Sequence, residues 1–385
     1  MRRFIGKCAL YERFLLTRRE GHNRVLSVTA RHLRRHLLIN GLVSKNWLVD
    51  VEQHLKRPDR IRIGFGPLSS LAEDESTVGV RKYRIDPIVD YINQSSSRYT
   101  AGFFWGADDI GNFDLIVLVK LFDVFEYSQI RSLKRQGKKI IYDIVDNPCN
   151  YRPTRVYHDS PEFMGMMDFI IASSPLHIKD MENIDVPITL IPHPVINLAT
   201  SAPLQQTRSR IRLVWQGYSH NIGDMFSIHP ILKRVAAETG RNIQVIYHTN
   251  ARFSRGDCYE IWPWHICDWK QVLSSMDIGI VIKNRSDFYQ ARKPSNKVLS
   301  YMAAGLPVIC HPSPSDELVV QDGFNGFKIT QDEDWFTYLT DLIGDDKKRE
   351  VISANAKQFA LENFSIEKIG AQYETIFDRV FLGAS

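Results

Sequence analysis

"DIGIVIKNRSDFYQARKPSNKVLSYMAAGLPVI", residues 277–309, reads as strand, loop, helix and strand in succession. Pro294 followed by Ser295 or Asn296 marks a helix start. Val298, Leu299 and Met302 supply an apolar face at helical spacing, and Gly305 with Pro307 marks the stop. The charge in this stretch is unusual. A helix N-terminus carries partial positive charge and favours carboxylates, yet Arg292, Lys293 and Lys297 crowd the first turn. Each such cation costs about 0.3–1 kcal/mol. An anion would offset that cost, and the backbone N–H groups of a helix start are suited to a phosphate.

The same alternation extends in both directions. Downstream lies the strand "LPVIC"; upstream lie "IRLVWQG", the helix "FSIHPILKRVAAETG", the strand "NIQVIYH" and a helix near "WKQVLSSM". Further upstream the pattern repeats. The strands "IRIGFG", "FDLIVLVKL", "KKIIYDIVD", "MDFIIASS" and "ITLIPHP" are interspersed with the helical "KYRIDPIVDYI" and "DVFEYSQIRSLKRQG". Strands alternating with helices predict parallel α/β sheets, here two doubly wound domains. The divisions fall at residues 59–196 and 211–385, joined by the polar, aperiodic linker 197–210, with helices and no further strand in the C-terminal tail. Two such domains place a ligand in a cleft facing the carboxyl ends of their strands, and the loop 284–296 opens into it.

At 385 residues, 44% hydrophobic and 24% charged, the chain has a globular composition. Five scattered cysteines without a Cys-x-x-Cys pair argue against a disulfide framework or a zinc site, and no His/Asp/Glu spacing suggests another metal. There is no apolar run of membrane-spanning length and no apolar core of a signal peptide, so a cytoplasmic protein is expected. Residues 1–60 hold fourteen Lys/Arg against five Asp/Glu, so the basic character resides there. Within the extension 1–58, "RVLSVTARHLRRHLLI" forms a basic amphipathic helix with Leu26, Ala30, Leu33 and Leu37 on one face. It reads either as a peripheral contact with an anionic membrane surface or as a helix packed on the body of the protein. No nucleic-acid reader motif is present, and no nucleic-acid partner is expected.

The segment 277–309, the following "DELVVQDGFNGFKI" with Glu317, Gly323 and Gly326, and "ITLIPHPV" together resemble the GT-B glycosyltransferases. The likeness is to the large bacterial group that uses nucleotide-activated sugars. It implies two Rossmann-like domains facing across a cleft, the first for the acceptor and the second for the donor. It also implies a nucleotide sugar as co-substrate, a glycan or lipid-linked acceptor in cell-surface polysaccharide or glycolipid synthesis, and no cofactor or metal. By the same resemblance, Lys297 meets the donor diphosphate and Lys293 is the basic residue preceding it. Ser295 and Asn296 hold the phosphate at the helix start, and Glu317 lies among the donor-binding residues. Gly217 matches the glycine of the loop beneath the donor, with His220 and Asn221 as polar groups beside it. Where that family carries two glutamates for the donor, this sequence has Arg292 and Ser300.

Asp143 and Asp146, at the end of the strand in "YDIVDNP", are candidates for an acceptor-side base or positioning group; the alternative is a capped turn. Trp262, Trp264 and Trp269 read as packing around a loop, and His193 as a hinge or packing residue. A polyol-phosphate transferase and a non-catalytic sugar-nucleotide-binding subunit are the competing functions.

Overall fold

A computed structural model describes residues 59–67, 80–104, 107–119, 127–145, 161–195, 210–256, 258–264, 266–284 and 287–383. The segment expected to form a basic amphipathic helix, Asp146 and nearly all of the predicted linker lie outside the described residues.

Six strands, β1 (Ile61–Gly66), β2 (Tyr99–Phe103), β3 (Leu115–Val119), β4 (Lys139–Ile144), β5 (Phe169–Ala172) and β6 (Ile188–Leu190), form the first sheet in the order β2-β1-β3-β4-β5-β6. Every pairing in it is parallel. Such a sheet is covered on both faces, which is why β3, "LIVLV", is apolar throughout and buried at every position. The helices of this half are α1 (Asp86–Ser95), entered through a π turn at Arg81–Ile85, then α2 (Tyr127–Arg135) and α3 (Pro175–Asp180), with a helical turn at Pro161–Met164.

The second sheet contains β7 (Arg210–Gln216), β8 (Asn242–Thr249), β9 (Ser254–Arg255), β10 (Tyr259–Pro263), β11 (Ile278–Val281), β12 (Val308–Cys310) and β13 (Gly326–Lys328), in the order β13-β12-β11-β7-β8-β10-β9. Only the edge pair β9–β10 is antiparallel. The first strand of each half, β1 or β7, has the next strand on one side and a later one on the other, so each sheet has a switch point beside it. Helices of this half are α4 (His229–Thr239), α5 (Trp269–Ser274), α6 (Phe288–Arg292), α7 (Asn296–Ala303), α8 (Pro314–Glu317), α9 (Asp334–Gly344), α10 (Asp346–Phe364) and α11 (Ile366–Leu382), with a helical turn at Gly223–Phe226.

The opening stretch folds as strand β11, helix α7 and strand β12. Val298, Leu299, Tyr301 and Met302 are buried. The Tyr301 ring lies directly over Gly279 of β11, where a Cβ would come within 2.4 Å of it. The helix therefore docks closely enough for the Tyr301 hydroxyl to accept a hydrogen bond from the Gln216 N–H, at 2.8 Å, at the end of β7.

Four strands are absent from the sequence reading: β2, the two-residue β9, β10 and β13. Trp262 lies within β10 instead of a loop, and Trp269 is buried at the start of α5, meeting Tyr83 of the first half edge-on at 5.1 Å. The C-terminal tail is helical, as expected, but its last helix does not stay with the second sheet. The Val195 N–H bonds the Phe364 carbonyl at 2.7 Å, and α11 then packs on α1. Phe377 of α11 meets Phe65 and Tyr99 of the first sheet at 6.4 and 5.5 Å.

Candidate active site

A pocket opens at the carboxyl ends of β7, β11 and β12. Trp215, Asn221 and Asp224 reach it from β7 and the loop that follows; Ile282 and Lys283 come from the end of β11; Ser295, Asn296, Lys297 and Val298 from the start of α7; and Asp316 from α8. Gln290, Lys293 and Pro294 complete the wall.

Lys297 is its central charge. The side chain is partly buried, and its ammonium lies 5.6 Å from the centre of the Trp215 ring. Among the described residues the ammonium has no hydrogen bond or ion pair. Burial, together with the cations of Lys283 and Lys293, pushes its pKa down to about 8, against the opposing pull of Asp316 and Asp224. Ser295 stands at the N-cap of α7, yet its hydroxyl makes no capping bond and, although buried, no hydrogen bond at all. The Lys297 amide is taken by Asn296 Oδ1 at 2.9 Å. By helix geometry the neighbouring first-turn amides have no intrahelical acceptor. A cation, a free hydroxyl and helix-start amides thus line one pocket.

Trp215 is held by Gly217. A Cβ at Gly217 would lie 2.4 Å from the Trp215 ring, so the loop after β7 crosses the indole only because residue 217 has no side chain. Gly217→Ala is expected to cost about 1–3 kcal/mol through overpacking. Displacement of the indole should also weaken inorganic pyrophosphate binding, read by urea denaturation and calorimetry. An alanine variant as stable and as tight-binding as wild type would contradict this account.

The other predicted residues separate into those that reach the pocket and those that do not. Asn221 lines it, whereas His220 is exposed and stacks on Tyr218 at 5.6 Å. Ser300 lies on α7 below the pocket, its hydroxyl donating to the Asn296 carbonyl at 2.7 Å. Glu317 points outward and pairs with Lys328 at 2.8 Å. Its neighbour Asp316 turns inward, because Asp316 is the third residue of a helix capped by Ser313 and its carboxylate reaches back to the cap.

Two expectations are corrected. Arg292 does not line the pocket: its guanidinium makes a two-pronged ion pair with Asp180 of α3, both contacts at 2.8 Å, and packs on the Phe288 ring. It joins the two halves of the molecule. Asp143 is not a cleft base either. It is fully buried at the end of β4, in an ion pair with the equally buried Arg84 at 2.9 Å, and it accepts a hydrogen bond from the Tyr373 hydroxyl of α11. Arg84 also donates to the carbonyls of Ile191 and Pro192 at 3.1 and 3.3 Å. Both of its oxygens are thus engaged, and it lies outside the pocket, so it does not meet an acceptor.

Lys283 and Asp224 were absent from the sequence reading. Lys283 follows β11 directly, so the strand-end rule that singled out the loop 284–296 could have found it. Among the described residues, no cluster of His, Cys, Asp or Glu could hold a metal ion, and no helix is long and apolar enough to cross a membrane.

No protein-family model matches the chain. Over 109 residues it is 31% identical to the uncharacterized glycosyltransferase MJ1069 of Methanocaldococcus jannaschii, a match covering 26% of this chain and 28% of that protein's length. Two solved structures share its architecture across most of its length. Sucrose-phosphate synthase from Thermosynechococcus elongatus aligns with a TM-score of 0.60 at 11% identity, covering 84% of this chain and 100% of that one. HepE of Anabaena, solved in complex with UDP and glucose, aligns with a TM-score of 0.55 at 14% identity, covering 83% and 100%.

The chain has the GT-B fold.

Within that GT-B frame the pocket belongs to the second sheet, on the side where the carboxyl ends of β7, β11 and β12 meet. The first half packs α3 against α6 and α8 of the second, tied down through Asp180 and Arg292.

Proposed function

We propose that this GT-B chain is a metal-independent glycosyltransferase that moves a sugar from a nucleotide-activated donor to a glycan or lipid-linked acceptor of the cell surface. The observation that carries this reading is Lys297: a partly buried ammonium with no partner among the described residues, beside a buried, unbonded Ser295 hydroxyl at a helix start. A diphosphate satisfies all of these groups at once. HepE, of the same fold, was solved with UDP-glucose as well as with UDP.

In transfer, the bond from the sugar's anomeric carbon to the β-phosphate oxygen breaks while an acceptor oxygen bonds to that carbon. Negative charge accumulates on the departing nucleoside diphosphate. Lys297, the Ser295 hydroxyl and the first-turn amides of α7 stand in the pocket before that charge develops, so they stabilise the transition state with little reorganisation. The acceptor's proton goes to a group other than Asp143, which is sealed in its ion pair.

A thermal-shift panel of UDP-, ADP- and GDP-sugars on the full chain tests the proposal. A ligand bound only by the native state stabilises it by RT ln(1 + [L]/Kd), so at least one nucleotide sugar should raise the melting temperature and be turned over to the free nucleotide. Stabilisation without turnover would point to a binding subunit, and no stabilisation by any of them would refute the donor site.

A further inference from the structure

The donor's hydroxyls need acceptors, and positions 292 and 300 provide no carboxylate: Arg292 is committed to Asp180, and the Ser300 hydroxyl donates into its own helix. The pocket does contain one carboxylate that is fully buried, Asp316. Its two oxygens have different surroundings. Oδ2 accepts from the Ser313 N–H at 2.8 Å, from the Ser313 hydroxyl at 2.7 Å and from the Lys283 ammonium. Oδ1 has no hydrogen-bond partner, although it is shut off from bulk solvent. Leaving a buried carboxylate oxygen without a donor is costly and uncommon, and the helix-capping role of Asp316 involves Oδ2 alone.

The missing donor has definable chemistry. A phosphate oxygen cannot take the place beside Oδ1, because two negative oxygens would repel; the group there has to offer a hydrogen, as a hydroxyl does. Lys297 and Ser295 hold the anionic position in the same pocket. A sugar attached to the terminal phosphate brings hydroxyls into the same pocket. We infer that Asp316 Oδ1 accepts a hydrogen bond from a hydroxyl of the donor's sugar and so sets which sugar the enzyme uses. Lys283 and Ser313 both hold Oδ2 and so fix the carboxylate in orientation, leaving Oδ1 for the ligand. This rests on the donor reading above and adds the residue that recognises the sugar.

Calorimetry on the full chain with UDP, UDP-glucose and the four monodeoxy analogues of UDP-glucose tests it. One analogue, lacking the hydroxyl that faces Oδ1, should bind wild type about tenfold or more weakly than UDP-glucose. In Asp316→Asn, the affinity for UDP should stay within about twofold, UDP-glucose should lose about tenfold, and the penalty for that analogue should largely vanish. Ser313→Ala weakens the cap but leaves Oδ1 in place, so its ratio of UDP-glucose to UDP affinity should match wild type. A purely structural role would make the Ser313 and Asp316 variants behave alike and would overturn the inference. So would a wild-type deoxy series with no weakened member, a measurement that does not depend on any variant folding. Wild type that binds no nucleotide sugar of the UDP, ADP and GDP panel would refute the donor reading itself, whereas normal UDP-glucose binding with an unchanged ratio in Asp316→Asn would refute only the role of Asp316.

Discussion

Lys297→Ala is expected to lower the transfer rate by about two to three orders of magnitude, the usual cost of removing one preorganised electrostatic contact to a developing negative charge. The melting temperature should hold steady or rise, because the substitution removes a half-buried cation from the positive end of α7. A distinctive pH signature accompanies it. With its pKa pushed down to about 8, Lys297 in the native protein releases its proton earlier than in the unfolded chain, where lysine titrates near about 10.4. Between those values the unfolded state binds more protons, so stability should rise with pH across that window. The rise should be missing from a Lys297→Met variant. Diphosphate binding should take up a proton above about pH 8, since the anion favours the charged ammonium. Full activity in the alanine variant, or the same pH slope in wild type and Lys297→Met, would show that Lys297 does not hold the phosphate.

Asp143→Asn is expected to destabilise the protein by about 3–5 kcal/mol in urea denaturation, the range for removing one partner of a buried ion pair. The cause is the guanidinium left behind: Arg84 is fully buried, and its remaining partners are the carbonyls of Ile191 and Pro192. Tyr373→Phe removes one hydrogen bond to the carboxylate and should cost less, about 1.5–3 kcal/mol. Nucleotide binding by the folded fraction of Asp143→Asn should match wild type. A loss of stability below about 1 kcal/mol, or a selective loss of turnover in a fully stable variant, would return Asp143 to the list of catalytic candidates.

The features read correctly from sequence are those with local causes. The α7 start was legible because Pro294, Ser295 and Asn296 are helix-initiating types, and Lys297, singled out by the excess of cation beside them, lines the pocket. Arg292 and Asp143 were misassigned for the opposite reason. Their partners, Asp180 and Tyr373, lie 112 and 230 residues away in the chain, and nothing in the local pattern announces such a pair. Glu317 was chosen where Asp316 is the inward residue, a one-position error that rotates a helical side chain by about a quarter turn and moves it from pocket to surface. The strands β2, β10 and β13, "YTAGF", "YEIWP" and "GFK", contain glycine or proline or are only three residues long. They are strands because neighbouring strands supply their hydrogen-bond partners, as β1 does for β2 over five residue pairs.

The return of α11 to the first sheet bears on how such a chain can change by exchange of parts. The chain leaves the first sheet near Val195, completes the second, and comes back at Ser365, which bridges to Val195. Tyr373 and Phe377 of α11 then fill the underside of strands laid down hundreds of residues earlier. A single crossover between the two sheets would therefore graft a foreign α11 onto a resident first sheet, with Arg84 and Asp143 facing whatever side chain the newcomer brought to position 373. A working chimera needs two junctions, one in 196–209 and one near 365, so that the transplanted piece ends with α10. Donor preference can be inherited as a module only when it is cut out from the middle of the chain.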